Sequence, residues 1–161
     1  MVRPGRDRLR GVVEVDETYW GGEDPGLRGR QIGTQALIAV AAETEGRGIG
    51  RIRLRHIADT QRPTLHHFIA QAIEPGSTVH TDGLKPYTQM RGYVHQRHGP
   101  PRPPVGAPHL LPRVHRVVWL LKRWLLGTHQ GAVAHAYLDD YLNKFTFRFN
   151  RRTSASRGQL F

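Results

Sequence analysis

Apolar and polar positions change period several times along the chain, and each change marks an element. Residues 11–16 (Gly-Val-Val-Glu-Val-Asp) are β-branched and alternate at their end, which predicts a short strand closing at Asp16. Residues 36–42 form a nearly unbroken apolar run, the pattern of a strand buried on both faces. Residues 51–57 set Arg51, Arg53 and Arg55 against Ile52 and Leu54, a half-exposed strand. The period then lengthens. Leu65, Phe68, Ile69 and Ile73 share one face of a helix over 63–73 that opens on Pro63 and stops at Pro75-Gly76. Strands follow at 77–81, closing on Asp82-Gly83, and near 92–95. Residues 99–108 are too rich in proline for helix or central strand and predict a stiff extended connection. Two helices come after it, over about 113–126, stopping at Gly127, and about 133–147.

This order predicts an α/β domain. The first three strands read as a meander and the fourth joins through a helical crossover, giving a mixed sheet flanked by helices. Residues 1–10 are expected to be a flexible basic leader, 11–152 the folded domain and 153–161 a basic tail, with 21–33 a glycine-rich loop. At 161 residues one compact domain is the natural arrangement.

Charge adds what patterning does not show. The chain carries 24 Lys+Arg against 13 Asp+Glu, a formal charge of +11. Such an excess is the electrostatic footprint of a polyanion binder, nucleic acid above all. Residues 83–138 contain no acid, yet hold Lys85, Arg91, Arg97, Arg102, Arg113, Arg116, Lys122 and Arg123. Mixed signs serve solubility better than a run of 56 acid-free residues. Neutralising about eight phosphates would make log affinity fall with log salt at a slope of roughly −7. Cysteine is absent, so there is no disulfide framework and no thiolate zinc site. The apolar run at 117–121 meets Lys122-Arg123, and like the run at 36–42 it is far short of the ~20 residues of a spanning helix. With no apolar stretch in the first ten residues to make a secretory signal, a soluble, cytoplasmic, nucleoid-associated protein is expected.

Two aspartates are candidate metal ligands. Asp16 and Asp82 each close a predicted strand, so if those strands are neighbours both carboxylates leave the same sheet edge. Hard cations such as Mg²⁺ favour such oxygen donors, and a pair of ions can clamp both oxygens of a phosphodiester displacement. The plain alternative is that each is a turn or cap residue. On the helix over 113–126, His115, Trp119 and Lys122 share one face, with His115 and Lys122 about 10 Å apart along the axis. One could touch a metal while the other touches DNA; otherwise His115 is a solvated histidine. Its neighbours Val117, Val118, Leu120, Leu121, Leu125 and Leu126 are expected in the core.

Four blocks carry a family resemblance. Val15-Asp16-Glu17-Thr18-Tyr19-Trp20-Gly21-Gly22 resembles the V-D-E-x-Y-x-G-G opening of ISXO-type insertion-sequence transposases. Thr81-Asp82-Gly83-Leu84-Lys85-Pro86-Tyr87 is similar to their T-D-G-x-x-x-Y. Residues 120–128 and 145–152 match L-L-K-R-x-x-x-G-T and F-x-F-R-x-N-R-R, in the family's order. The resemblance implies an RNase H-like catalytic domain of the DDE superfamily, which cuts transposon ends and joins them to target DNA. It implies Asp16, Asp82 and His115 as the metal-binding set, in a branch with histidine at the third catalytic position, and Lys122 as a catalytic phosphate contact. Mg²⁺ or Mn²⁺ is the implied cofactor. The implied partners are transposon ends and target DNA, bound by a homodimer or larger assembly. Lys85, Arg113, Arg116, Lys122, Arg123, Arg148, Arg151 and Arg152 are the candidate DNA contacts.

Family members usually carry a DNA-binding segment ahead of the catalytic domain, whereas 15 residues precede Asp16 here. A truncated copy, or an inactive DNA-binding relic, is therefore the competing expectation. A histidine-rich metal protein is a further alternative, since ten histidines include His66-His67, His95 and His98, but their spacing matches no known metal motif.

Overall fold

The computed structural model describes residues 8–21, 35–99, 111–129 and 137–153. The elements run β1 (Val12–Trp20), β2 (Ala36–Glu45), β3 (Gly48–Ile57), α1 (Arg62–Ala72), β4 (Thr78–Thr81), β5 (Val94–Arg97), α2 (Pro112–His129) and α3 (Leu138–Asn150). One five-stranded sheet holds the strands in the order β3-β2-β1-β4-β5. The first three pair antiparallel as a meander, and β4 joins β1 in parallel through α1, as expected for a mixed sheet. The glycine-rich and proline-rich segments and the start of the predicted last helix lie outside the described residues.

Side-chain alternation divides the core between the two faces of the sheet. On one, Val13, Val15, Leu37, Ala39, Ala41 and Val79 pack against Leu65, Phe68 and Ile69 of α1. On the other, Ile38, Val40, Ala42, Ile52 and Leu54 pack against Val114, Val117, Leu121 and Leu125 of α2 and Leu138, Leu142 and Phe145 of α3. This explains the apolar run in β2: its residues 36–42 are buried on both sides.

Three expectations are corrected. The first strand does not close at Asp16 but continues to Trp20, because Thr18 and Trp20 stay buried on the sheet and Gly21, at φ 122°, makes the break. The leader does not extend to residue 10. Leu9 is fully buried, its amide donates to the Ala72 carbonyl and its carbonyl accepts from Glu74, so the fold begins before Gly11. Leu126 is not core; four residues after Lys122 it falls on the His115–Trp119–Lys122 face of α2, off the buried stripe of Val114, Val117, Leu121 and Leu125, and is exposed.

The exposed edge of the sheet is sealed by the end of the chain's last helix. Asn150 accepts from the Ile52 amide at 2.7 Å and donates to the Ile52 carbonyl at 3.1 Å, occupying backbone groups that β3 presents outward. Arg152 adds donations to the carbonyls of Ile49 and Gly50 and lies over the Phe149 ring. Where β2 shifts register, the buried carboxylate of Glu43 gathers the Arg51 guanidinium and the amides of Arg10 and Arg51. A Cβ at Gly50 would come within 2.9 Å of Glu43 Cβ, so a side chain there would displace this cluster.

Burial alone would raise the Glu43 pKa, but the hydrogen bonds and charge of Arg51, with the two amides, outweigh it and hold the pKa below the ordinary 4.5. A lowered folded-state pKa gives stability that is present above 4.5 and is lost as pH falls through the folded value. Glu43→Gln is therefore less stable than wild type at pH 7, with the two converging on acidification below 4.5. Urea midpoints across that range are the check; a gap unchanged by acid would contradict the assignment.

Candidate active site

The parallel pairing of β1 with β4 is the geometric origin of the site. Val12 pairs with Thr78, Val13 with Val79 and Glu14 with His80. Carried two residues further, that register sets Asp16 beside Asp82, just past the end of β4. Both lie at even positions, on the sheet face that α2 covers. The Asp16 Oδ1 accepts from the Glu17 amide at 2.9 Å, and the Asp82 Oδ1 accepts from the Leu84 amide at 3.2 Å in a tight Asx turn. Turn capping and membership of a carboxylate pair thus coexist at Asp82.

Helix α2 brings the third residue. His115 Nε2 stands 3.4 Å from Asp16 Oδ2, with the His115 side chain 42% exposed. What aims it is Glu14, one sheet pair below Asp16 and only 3% exposed. Its carboxylate accepts from the backbone amides of Arg113 at 2.7 Å and Val114 at 3.0 Å, two of the orphan donors in the first turn of α2. The Arg113 guanidinium completes the clasp at 3.0 Å and also donates to the carbonyls of Gly46 and Gly48 in the β2–β3 turn. His115 is the next residue along, so it is delivered over Asp16.

Beneath the sheet lies a second support. Glu17 is at an odd position, facing α1, where the fully buried Tyr87 hydroxyl donates to its Oε2 at 2.6 Å. The Tyr87 pKa is pushed well above 10.0 by burial first, then by the charge and hydrogen bond of Glu17 and the charges of Asp16 and Asp82. Tyr87 remains a neutral donor, and it registers three carboxylates at one end of the β1–β4 pair. Beside them, His80 and His98 share a 2.9 Å hydrogen bond. Burial and the neighbouring His98 hold the His80 pKa below 6.5 despite Glu14.

Among the expected DNA contacts, Lys85, Arg116 and Arg123 are exposed and Lys122 half-buried around this site. Arg148 is exposed on α3 and Arg151 just past its end; α3 packs on β3, two strands from β1. The guanidiniums of Arg113 and Arg152 are engaged within the fold, by Glu14 and by backbone carbonyls. Glu14, Glu17 and Tyr87 are the supports that charge and spacing did not single out. The signal for the last two was their place inside the resembling blocks.

The donor set suits a divalent cation. Two carboxylates on adjacent strands are what Mg²⁺ commonly takes from a protein, keeping water and substrate phosphate for its other positions. The 3.4 Å between His115 Nε2 and Asp16 Oδ2 is close to the separation of two donors bound to one ion at about 2.1 Å each. Among the described residues no three acidic or histidine side chains form a ready-made cage. A cavity of about 620 Å³ lies elsewhere, lined by α1 residues Arg62 and His66 with Gln89 and Tyr93, on the opposite side of the sheet from Asp16. No described helix is long and apolar enough to cross a membrane.

Comparison with known proteins adds two findings. The model of the ISXO2-like transposase domain matches residues 8–150. The crystal structure of the catalytic core domain of BIV integrase is similar with a TM-score of 0.59 and 19% identity, over 88% of this chain and 84% of that chain. The likeness in structure shows the RNase H-like fold expected from the sequence. No curated protein matches the chain.

Removing one partner of a buried ion pair costs about 3–5 kcal/mol, and Arg113, 23% exposed, regains some solvation when freed. Glu14→Ala should therefore lose about 3 kcal/mol of unfolding free energy. Urea denaturation measures this, and a loss below about 1 kcal/mol would show that Glu14 does not clasp α2.

Proposed function

Because the chain belongs to the ISXO2-like transposase domain family, we propose that it is a DNA transposase core acting at insertion-sequence ends, with a divalent cation held by Asp16, Asp82 and His115. The observation that carries this reading is the β1–β4 register that sets the two aspartates side by side with His115 of α2 at 3.4 Å. The cation would make water a stronger nucleophile and offset phosphate charge, as in other metal-dependent phosphodiester chemistry.

The remaining work falls to the chain itself. Asp16 and Asp82, side by side, repel a phosphate unless a cation stands between, so the metal and the reacting phosphate are expected to enter the site in concert, while duplex held only by the surface cations is indifferent to it. His115 presents Nε2 toward that position from a helix end clasped by Glu14. Lys122, two turns further along α2, contacts a phosphate of the transposon end. Lys85, Arg116 and Arg123 position the strands, while the neutral Tyr87 holds Glu17 and so the backbone of β1 next to Asp16. Hydrolysis frees a 3′-hydroxyl, and that hydroxyl then attacks a target phosphodiester, displacing a target 3′ oxygen. Paired ends require at least two copies of the chain.

An inactive DNA-binding relic predicts DNA affinity without a metal site, which separates it from this reading. Titration of Mn²⁺ followed by electron paramagnetic resonance should show a specific site whose affinity drops at least about tenfold in Asp16→Asn and in Asp82→Asn. Affinity for a non-specific duplex should stay within about twofold, since surface cations supply it. Unchanged Mn²⁺ binding in both variants would overturn the proposal. Imidazole in place of a carboxylate softens the donor set, so Mn²⁺ should support cleavage better than Mg²⁺. Equal turnover in the two metals would remove His115 from the ligand set. With Arg113 and Arg152 committed to the fold, six of the eight expected cations remain, and the salt slope of duplex binding should be about −5. A slope shallower than about −3 would place the DNA elsewhere.

A further inference from the structure

Helix α2 carries two tryptophans five residues apart, in opposite circumstances. Trp124 is packed against α3, its ring 6.4 Å from Tyr141 and 5.5 Å from Phe145. Trp119 is 49% exposed. The guanidiniums of Arg116 and Arg123, one turn below and one turn above, each lie 5.2 Å from its ring centroid. Helical spacing sets Trp119 between two rows: His115 and Lys122 on the side toward Asp16, Arg116 and Arg123 on the side toward solvent. Trp119 is four residues from His115, about 6 Å along the axis. No acid occurs anywhere in this helix.

A single exposed aromatic needs no explanation by itself. This one is ringed by cations and stands one turn from the residue that meets Asp16. A protein partner would find an apolar ring guarded by three positive charges. A DNA duplex would reach the cations through its phosphates and leave the ring unused, because its bases are stacked on each other. An unpaired nucleotide satisfies both, with phosphate on Lys122, Arg116 or Arg123 and a base face on the indole. The guanidiniums at 5.2 Å form exposed cation–π contacts, weaker than a base stack, so a base can displace one and leave it to turn to the neighbouring phosphate.

The geometry points to Trp119 as a stacking platform for an unpaired nucleotide next to the phosphodiester at Asp16 and Asp82, a positioning role that rests on the DNA-acting reading above. Strand opening beside the reacting bond would then be captured by this helix, and the ring would set which nucleotide stays unpaired.

The test compares a labelled oligothymidylate with a blunt duplex of equal length, read by fluorescence anisotropy at one salt concentration. Trp119→Leu should weaken oligothymidylate binding about tenfold and leave duplex affinity within about twofold. Trp119→Phe, which keeps a ring, should recover most of the loss. Because Trp119 is exposed, both variants are expected to fold, and wild-type far-ultraviolet circular dichroism confirms it. If Trp119→Leu binds oligothymidylate as wild type does, or loses both ligands equally, the platform is refuted while the DNA-acting reading stands. If the wild type binds neither ligand, the DNA-acting reading itself fails and the platform with it.

Discussion

A carboxylate that belongs to no reaction holds the site together. Glu14 is enclosed between the sheet and α2, and it exists as a buried charge only because two backbone amides and a guanidinium converge on it. Burying a charge without such partners is prohibitive, so strand and helix end have a single comfortable arrangement. That arrangement fixes both the rotation of α2 about its axis and its height over β1. From it follow the position of His115 over Asp16, the burial of Val117, Leu121 and Leu125, and the outward direction of Trp119. The same guanidinium ties down the β2–β3 turn through Gly46 and Gly48. Specificity of docking, more than net stability, is what a buried ion pair of this kind contributes.

Seen against this clasp, the resembling blocks divide into two kinds of residue. Asp16, Asp82 and His115 gather on the α2 side of the sheet, with Lys122 two turns along the same helix face. Glu17, Tyr87, Asn150 and Arg152 face the protein: the first two bond to each other under the sheet, and the last two close the β3 edge. A motif therefore mixes chemistry with the carpentry that positions it. Charge alone does not tell an arginine that meets phosphate from one that meets a carbonyl.

That distinction marks where the sequence was legible and where it was not. The buried strand at 36–42, the α1 face of Leu65, Phe68 and Ile69, and the meander-plus-crossover topology all follow from local period and chain order. The common face of His115, Trp119 and Lys122 follows from helix geometry. The continuation of β1 past Asp16 was hidden because Asp16-Glu17-Thr18 is a polar stretch that interrupts the apolar alternation. Their partners, Tyr87 on one face and the α2 side of the core on the other, lie far along the chain. Arg113 meets Glu14 across 99 positions, and no local pattern announces such a pair. Leu126 continues an apolar run of sequence, but the helical period carries it onto the exposed face of Trp119 and Lys122.

The parallel β1–β4 pairing also has a consequence in time. Asp16 is made early, Asp82 follows 66 residues later, and His115 comes 99 residues after Asp16. The two aspartates meet only after α1 has carried the chain back across the sheet, and His115 arrives only once α2 has docked on Glu14. Contacts this distant in sequence form late, because loop closure must precede them. A chain still emerging from the ribosome, or one that has lost its packing, holds the separate parts without the arrangement. Whatever chemistry the site supports is thereby made conditional on complete folding, and topology acts as the safety catch.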